Sequence, residues 1–469
     1  MEPKGDSGIP ISQVIATFVS EMRYEQLPGG FVEFLKDHML DVIGTSLAAT
    51  RFDFAYRALV GLGVLADSRG STVIGMAQKL PLKDAALMNG VLAHGLDYDD
   101  THPAGPVHPS SSTFPCALGV GELIDCSGRD LILAYALGIE IATRLGIAAN
   151  GTMHKVGFHT TGVVGHNACA VTAGKLLGLN ADQLVNAQGL AGSTASALAE
   201  HRHDGAWNKR IHPGWAAVGG MTAASLARGG FVGTKKVYEG GDGLFRTHAG
   251  SHFADVNLDA LTADLGERWR AQEVAVKPYP VCHILHACID SAIALRKQHE
   301  LKPSDIAKVR VLLHPDTFHY VCENAEMRRR PTTDYAAKFS AHYTTAVALI
   351  RGKCGFAELE QDALADPEIL ALAQKVEHGP DPKSAFPEYF SGGVEITLAN
   401  GRTIAHHDRV NRGAGDRALS REDITRKFME NAEFAMSRSR AEEMLQVLRE
   451  VERFSGREIA RAVSLGERL

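Results

Sequence analysis

Apolar residues recur three and four positions apart through most of the first 265 positions of the chain. Phe31, Leu35, Met39, Val42 and Ile43 share one face of a helical wheel, with Glu33, Lys36, Asp37 and Asp41 between them, which predicts a half-buried helix. Asp130 is placed to cap a second helix through Leu131, Leu133, Leu137, Ile141 and Leu145. Asn180 with Gln183 three residues on reads as a capping box for another. From Gly162 to Leu177 the pattern is a helix of small residues, Ala168, Ala170, Ala173 and Gly174, suited to close contact with a neighbour. No fixed-period repeat argues for a solenoid.

The pattern changes after about Leu265. Val274-Ala275-Val276 is short, β-branched and stopped by Lys277-Pro278-Tyr279-Pro280, which predicts a strand and a turn. A helix is predicted from His286 to Arg296, a strand at Val309–Leu313, and a helix from Asp334 to Ile350. Gly393–Leu398 meets Thr403-Ile404-Ala405 across Ala399-Asn400-Gly401-Arg402, where Asn-Gly is a strong hairpin signal. From Arg421 onward Phe428, Ala432, Met436, Met444, Leu445 and Leu448 return to helical spacing. The expected architecture is mainly α: a large helical domain over 1–265, a smaller α+β lid domain over 266–411, and a tail, 412–469, that folds back onto the first domain.

Composition narrows the class. The chain has 469 residues, enough to bury sizeable cores without staples, with 45% hydrophobic and 22% charged positions. Net charge is −6, so no global basic field exists to hold a nucleic acid. The seven cysteines are odd in number and form no C-x-x-C, which argues for reduced thiols. The polar start, Met1-Glu2-Pro3-Lys4-Gly5-Asp6, lacks an apolar signal region, and no run of about 18 uninterrupted apolar residues suggests a membrane span. A cytoplasmic protein is expected.

Four polar clusters carry the candidate chemistry. The densest is His94-Gly95-Leu96-Asp97-Tyr98-Asp99-Asp100-Thr101-His102-Pro103-Ala104-Gly105-Pro106-Val107-His108-Pro109-Ser110. Its prolines forbid a regular helix through the second half, and neighbouring Asp and His can tune one another for acid–base work near neutrality. Any single Asp there could equally be a helix cap; the run as a whole reads as functional. Gly157-Phe158-His159-Thr160-Thr161-Gly162 offers an imidazole and hydroxyls at a helix start, either an anion site or a Thr-capped helix. Lys209 and Arg210 in Trp207–Gly214 could neutralise an anion or form a solvated turn. Lys277 leads a Pro-stiffened turn into Cys282, His283 and His286, whose H-x-x-H is a weak zinc signal without further ligands.

Other motifs carry little. Gly61-Leu62-Gly63-Val64-Leu65-Ala66 matches a dinucleotide fingerprint in letters but lies in no β-α-β unit. Arg328-Arg329-Arg330 reads as a solvated face or an anion contact. No P-loop or nucleophile elbow occurs.

In this order the four clusters resemble the MmgE/PrpD family of 2-methylcitrate dehydratases, cis-aconitate decarboxylases and an iminodisuccinate epimerase. The resemblance runs roughly from Gln13 to Val451 and is most specific at Asp97-Tyr98-Asp99-Asp100-Thr101-His102 with His108-Pro109-Ser110. It implies a helical domain with an α+β lid, a homodimer, and reactions without metal or organic cofactor. It implies that Asp97, Thr101, His108, His159, Lys209 and Lys277 line the cleft, with Tyr320 a looser correspondence. Cys282 departs from the pattern, since some decarboxylase-type members carry His there; adjacent His283 is the nearest substitute.

The implied reaction is proton transfer at a carbon next to a carboxylate of a small di- or tricarboxylate, with 2-methylcitrate dehydration as the leading example. Catalytic roles then fall to Asp97, His108, His159 and Lys277. Thr101, His102, Lys209, Tyr320, Cys282 and His283 would bind substrate. Lys209 and Lys277 would clamp carboxylates, His159 or His108 would move the proton, and Asp97 would orient or tune an imidazole. Decarboxylation, epimerisation, non-catalytic carboxylate binding and a zinc hydrolase built on His283 and His286 are the other readings. No nucleic-acid or membrane partner is expected.

Overall fold

The computed structural model describes residues 8–66 and 70–465. Two hydrophobic cores organise it. The larger joins residues from Ile15 to Val276 with Ile424, Phe428, Met444 and Ile459 of the tail. The smaller gathers Tyr279 to Leu398.

The first helical pattern forms Phe31–Ala49. It is buried along most of its length because the tail helix Arg421–Glu433 covers its outer side, so closely that a Cβ at Gly44 would stand 3.2 Å from the Phe428 Cα. The helix Gly128–Ala149 is long and apolar enough to cross a membrane by length and composition, yet 94% of its most apolar window is buried inside the protein. Its cap is Ser127, not Asp130: Ser127 Oγ accepts the Asp130 N–H and donates to the Asp130 carboxylate. The helix starts before its apolar stripe does, so the reciprocal acid was mistaken for the cap. The Asn180–Gln183 box is present as expected.

The small-residue helix, Thr160–Leu176, packs against Asn208–Arg228, which also crosses Leu82–His94. At that second crossing a Cβ on Gly90 would come within 2.3 Å of the Gly214 Cα, so two backbones touch directly. The crossing sets the end of one helix, His94, near the first turn of the other, Lys209.

In the smaller core a sheet of order Val376–Pro380, Ile306–Leu313, Gly392–Leu398, Thr403–Asp408 is parallel at its first pair and antiparallel beyond. Its hairpin turns at Gly401, φ +82°. His286–His299 packs against the sheet strands and the helix Ala341–Arg351.

Two expected elements differ. Val274–Val276 forms no strand; Ala275 makes only a bridge with Thr101, exchanging N–H···O=C bonds of 2.9 Å. Pro278 and Pro280 stop any longer ladder. The helix expected over Asp334–Ile350 is split into Asp334–Ala337 and Ala341–Arg351. Ser340 caps the second piece, and the break frees the Lys338 carbonyl to accept the Cys282 N–H at 2.9 Å while Lys338 Nζ donates to Pro280 O. A continuous helix would have consumed that carbonyl.

Candidate active site

A cavity of about 630 Å³ opens between the two cores. Asp97, Thr101, His108, His159, Lys209 and Lys277 line it from the helical side, and Cys282, His283 and Tyr320 from the sheet side.

Asp97 closes the loop after the helix Leu82–His94 in a left-handed conformation, φ +54°, which Asp tolerates better than most residues. Lys209 Nζ meets its Oδ1 at 2.5 Å, and Lys277 Nζ lies 3.4 Å from its Oδ2 while donating to its carbonyl at 2.8 Å. Burial alone would raise the Asp97 pKa, but the two ammonium groups outweigh it and hold the carboxyl well below its usual range. Burial would likewise strip the Lys209 proton, and Asp97 more than offsets it, so its pKa is raised. Asp97 holds two lysines and hydrogen-bonds no imidazole; of the role the resemblance implied it keeps the tuning, since its charge raises the His94 pKa.

The imidazoles are positioned by the next two acids. His94 Nδ1 donates to Asp99 Oδ2 at 2.7 Å, and its buried Nε2 has no hydrogen-bond partner. His108 Nδ1 lies 2.9 Å from the Asp100 carbonyl, 3.2 Å from Thr101 Oγ1 and 3.6 Å from Asp99. A carbonyl can only accept, so Nδ1 carries the proton and Nε2 keeps its lone pair. Asp100 is itself fixed by His38 at 2.7 Å and by Ser110. Thr101 thus steadies His108 from within the cavity wall.

His159 stands at the N-cap of Thr160–Leu176, with Nδ1 3.0 Å from Nδ1 of His212. The flanking threonines do not cap: Thr160 bonds His154, and Thr161 accepts the His108 N–H. Burial lowers the pKa of His94, and lowers those of His108 and His159 well below the imidazole norm; Lys209 pushes all three the same way. Near pH 7 they are neutral.

His94, His108 and His159 bring one ring nitrogen each within 4.8 Å of one another, a loose set of three nitrogen donors for a divalent ion. Tetrahedral zinc would need them roughly 3.3 Å apart, and two ammonium groups nearby oppose a dication. The arrangement suits proton transfer better. The pair His283 and His286 is no zinc site: Asn411 holds His283 Nε2 at 2.7 Å, His286 Nε2 meets Val281 O, and no third ligand joins them among the described residues.

One expected residue falls away. His102 is fully buried outside the cavity wall, accepting the Gly105 N–H at 3.1 Å on Nδ1 and facing Glu273 at 3.4 Å on Nε2. The bridge to Ala275 turns alternate side chains of this segment to opposite sides, so Thr101 faces in and His102 faces the protein interior. Tyr320 lies tilted against His319, ring centroids 3.8 Å apart, and stands edge-on to His154. Cys282 is a neutral thiol, pushed by burial to about 11.

Residues 13–256 match the MmgE/PrpD N-terminal domain and 279–453 the MmgE/PrpD C-terminal domain. The chain belongs to the MmgE/PrpD family. It is 29% identical to the cis-aconitate decarboxylase of Mus musculus over 94% of this chain and 91% of that one. It is 26% identical to the cis-aconitate decarboxylase of Aspergillus terreus over 95% and 94%. It is 24% identical to the 2-methylcitrate dehydratase of Cupriavidus necator over 84% and 83%. The second MmgE/PrpD match includes the tail helices Arg421–Glu433 and Arg438–Arg449, although Phe428 and Met444 pack into the larger core.

Several residues of this MmgE/PrpD site carry no role in the sequence pattern. His94, Asp99 and His212 are not on the cavity wall; Asp99 bonds His94 and faces His108, and His212 meets His159. His154, His201, Arg202 and Arg328 line the cavity itself. Arg328 was taken for part of a charge run; it is buried, with Nε and Nη2 on the carbonyls of Glu323 and Tyr320.

Proposed function

We propose that the protein is a lyase that moves a proton at a carbon next to a carboxylate of a small polycarboxylate. The observation that carries this reading is charge. Among the described residues the cavity wall holds five cationic side chains, Lys155, Arg202, Lys209, Lys277 and Arg328, against two carboxylates, Asp97 and Asp316, in a chain of net charge −6. Such a site concentrates anions that the rest of the surface repels.

Lys209 and Lys277, already held by Asp97, meet the carboxylate next to the reacting carbon and the enolate charge that develops there, with little reorganisation. His108 offers the Nε2 lone pair as base, and His159 is the second proton carrier. Both imidazoles are neutral while the cavity is empty. A bound polyanion favours their charged forms, so the substrate itself helps make a general acid. In a decarboxylation the bond to the departing carboxylate breaks, its electron pair stays on carbon, and an imidazolium N–H protonates that carbon. In a dehydration one neutral imidazole takes the proton, the C–H pair becomes the new double bond, and the hydroxyl, protonated by the second ring as imidazolium, leaves as water with the C–O pair.

Cis-aconitate decarboxylation is the first activity to test, supported by relatives of that name matched over nine-tenths of the chain. Dehydration of 2-methylcitrate comes second, supported by a relative of lower identity and coverage. Purified, EDTA-dialysed protein is to be incubated with cis-aconitate, 2-methylcitrate, citrate and iminodisuccinate, following CO2, alkene absorbance and optical rotation. Turnover of one of them, strongly reduced by His108→Ala or Lys277→Ala in folded protein, is the expected result. No turnover of any polycarboxylate would reject the reading.

A further inference from the structure

Lys209 and Lys277 are both engaged with Asp97 and Lys155 with Asp255, which leaves two of the five cations of the wall, Arg202 and Arg328, without a carboxylate among the described residues. Arg328 is 7% exposed and makes no ion pair among the described residues. Its Nε and Nη2 bond two backbone carbonyls, while its Nη1 has no hydrogen-bond partner and is not a sealed, orphaned atom. Its charged surroundings are thin. The thiols of Cys282 and Cys322 are neutral, pushed by burial to about 11 and about 12, and Glu323 is exposed. Arg202, from the helical side, lies over the Tyr320 ring at 5.5 Å, donates through Nε to Ala199 O, and likewise has no ion-pair partner among the described residues. Tyr320 joins the two, giving its carbonyl to Arg328 and its ring to Arg202.

A guanidinium taken out of water without an anion is unfavourable, and its planar fork matches a carboxylate better than an ammonium does. Cys282, Lys209, Lys277 and Arg328 line the one cavity, so the lysine pair and the arginine face the same space.

We propose that Arg328, assisted by Arg202, seats the carboxylate remote from the reacting carbon, and so makes the protein select tricarboxylates over dicarboxylates. This rests on the polycarboxylate reading above and assigns its specificity to the sheet side of the cavity. The reacting end is held by the lysines, and the remote end by a fork carried on the short helix Ala325–Arg329. A substrate long enough to reach both would tie the two cores together.

Binding separates this from turnover. Calorimetry with tricarballylate, and with methylsuccinate as the same skeleton lacking one terminal carboxylate, needs no reaction. Wild-type protein should bind tricarballylate at least about 30-fold more tightly, the expected worth of one charge-assisted fork. Arg328→Gln should weaken tricarballylate by roughly 10- to 100-fold and leave methylsuccinate within about 3-fold, and Arg328→Lys should fall between. Arg202→Gln should lose part of the same preference, and it carries the test if Arg328→Gln fails to fold by thermal melting and near-ultraviolet dichroism. Equal weakening of both ligands in folded variants, or no change, would overturn the assignment. Arg328-dependent binding with no turnover of any substrate would leave this inference standing and remove the proposed lyase activity. Turnover with an unchanged preference would do the reverse.

Discussion

Asp97 is the hinge of the cavity's electrostatics, because one carboxylate neutralises half of a pair of buried ammonium groups. Asp97→Asn removes that charge and leaves Lys209 and Lys277 facing each other, and breaking a buried pair in this way is worth about 3–5 kcal/mol. The variant should melt markedly lower than wild type at pH 7 and lose at least about 10²-fold in kcat/KM. Wild-type melting and rates together would show that these ion pairs are dispensable. Asp99 acts on a different group. Burial depresses the His94 and His108 pKa values, and the Asp99 carboxylate opposes that by raising both. Since kcat/KM reports the free enzyme, its acid limb should lie below pH 6.5, where an unperturbed imidazole would titrate. Asp99→Asn deletes the carboxylate that stands 3.6 Å from His108 and raises its pKa, so the imidazoles shed their protons more readily still. The acid limb should move to lower pH by about one unit while kcat falls. A pH profile of kcat/KM from about pH 4.5 to 8 checks this, and a limb that moves upward would show that Asp99 does not set these imidazoles.

At the scale of elements, the site depends on where helices cross, and a crossing is written in small residues. Gly214 lies on the helix whose first turn carries Lys209, and a Cβ there would fall 2.3 Å from the Leu87 carbonyl oxygen. Gly214→Ala should therefore destabilise by about 1–3 kcal/mol and lower kcat, because Lys209 shifts with its helix. Gly61→Ala is the contrast: nothing lies within 4 Å, so it should leave activity unchanged and raise stability slightly. Thermal melts and kcat for the pair check both, and equal behaviour would show that the crossing is not what holds Lys209. The same contrast explains what could be read in advance. Phe31–Ala49, the Asn180 capping box and the Asn400-Gly401 hairpin are local signals, and each formed as expected. Six polar positions, Asp97, Thr101, His108, His159, Lys209 and Lys277, also converge on the cavity, but through the family resemblance rather than through periodicity. What stayed hidden depends on distant partners. The break at Lys338–Ser340 answers to the Cys282 backbone, the inward turn of His102 to the bridge at Ala275, and the contact of His212 with His159 to two helices packing at Gly162. No window of sequence around any one of these residues contains its cause.

For the whole molecule, the distribution of charge and apolar surface says more than the totals. The net charge of −6 gave no hint of a cation-rich cavity, since five positive side chains facing one space barely alter a sum over 469 residues. Apolar surface is uneven in the same way. On the helix Asn208–Arg228 and the residue before it, Trp207, Ile211 and Trp215 recur every fourth position and are 42–50% exposed. The neighbouring helix Asp53–Gly63 exposes Tyr56 and Val60, and Phe54 on that helix contacts Trp207 edge-on. Two tryptophans on one exposed helical stripe are more apolar surface than a monomer usually leaves to water. We propose that a second copy of the chain covers this face, which would meet the expectation of a homodimer. An isologous contact needs only one self-complementary patch, and this one is built around a helix that can pack against its own symmetry mate. The face also borders the site, because Lys209 and Arg210 lie between Trp207 and Ile211 on the same turn. Light scattering should therefore give a mass near twice 50.4 kDa, and Ile211→Glu with Trp215→Glu should halve it. The charged variant should also lose activity, since the first turn of the Lys209 helix would be left to fray in water. A folded monomer of the variant with undiminished kcat/KM would keep the interface but detach it from catalysis, and a wild-type mass of 50.4 kDa would leave the stripe without the partner proposed for it.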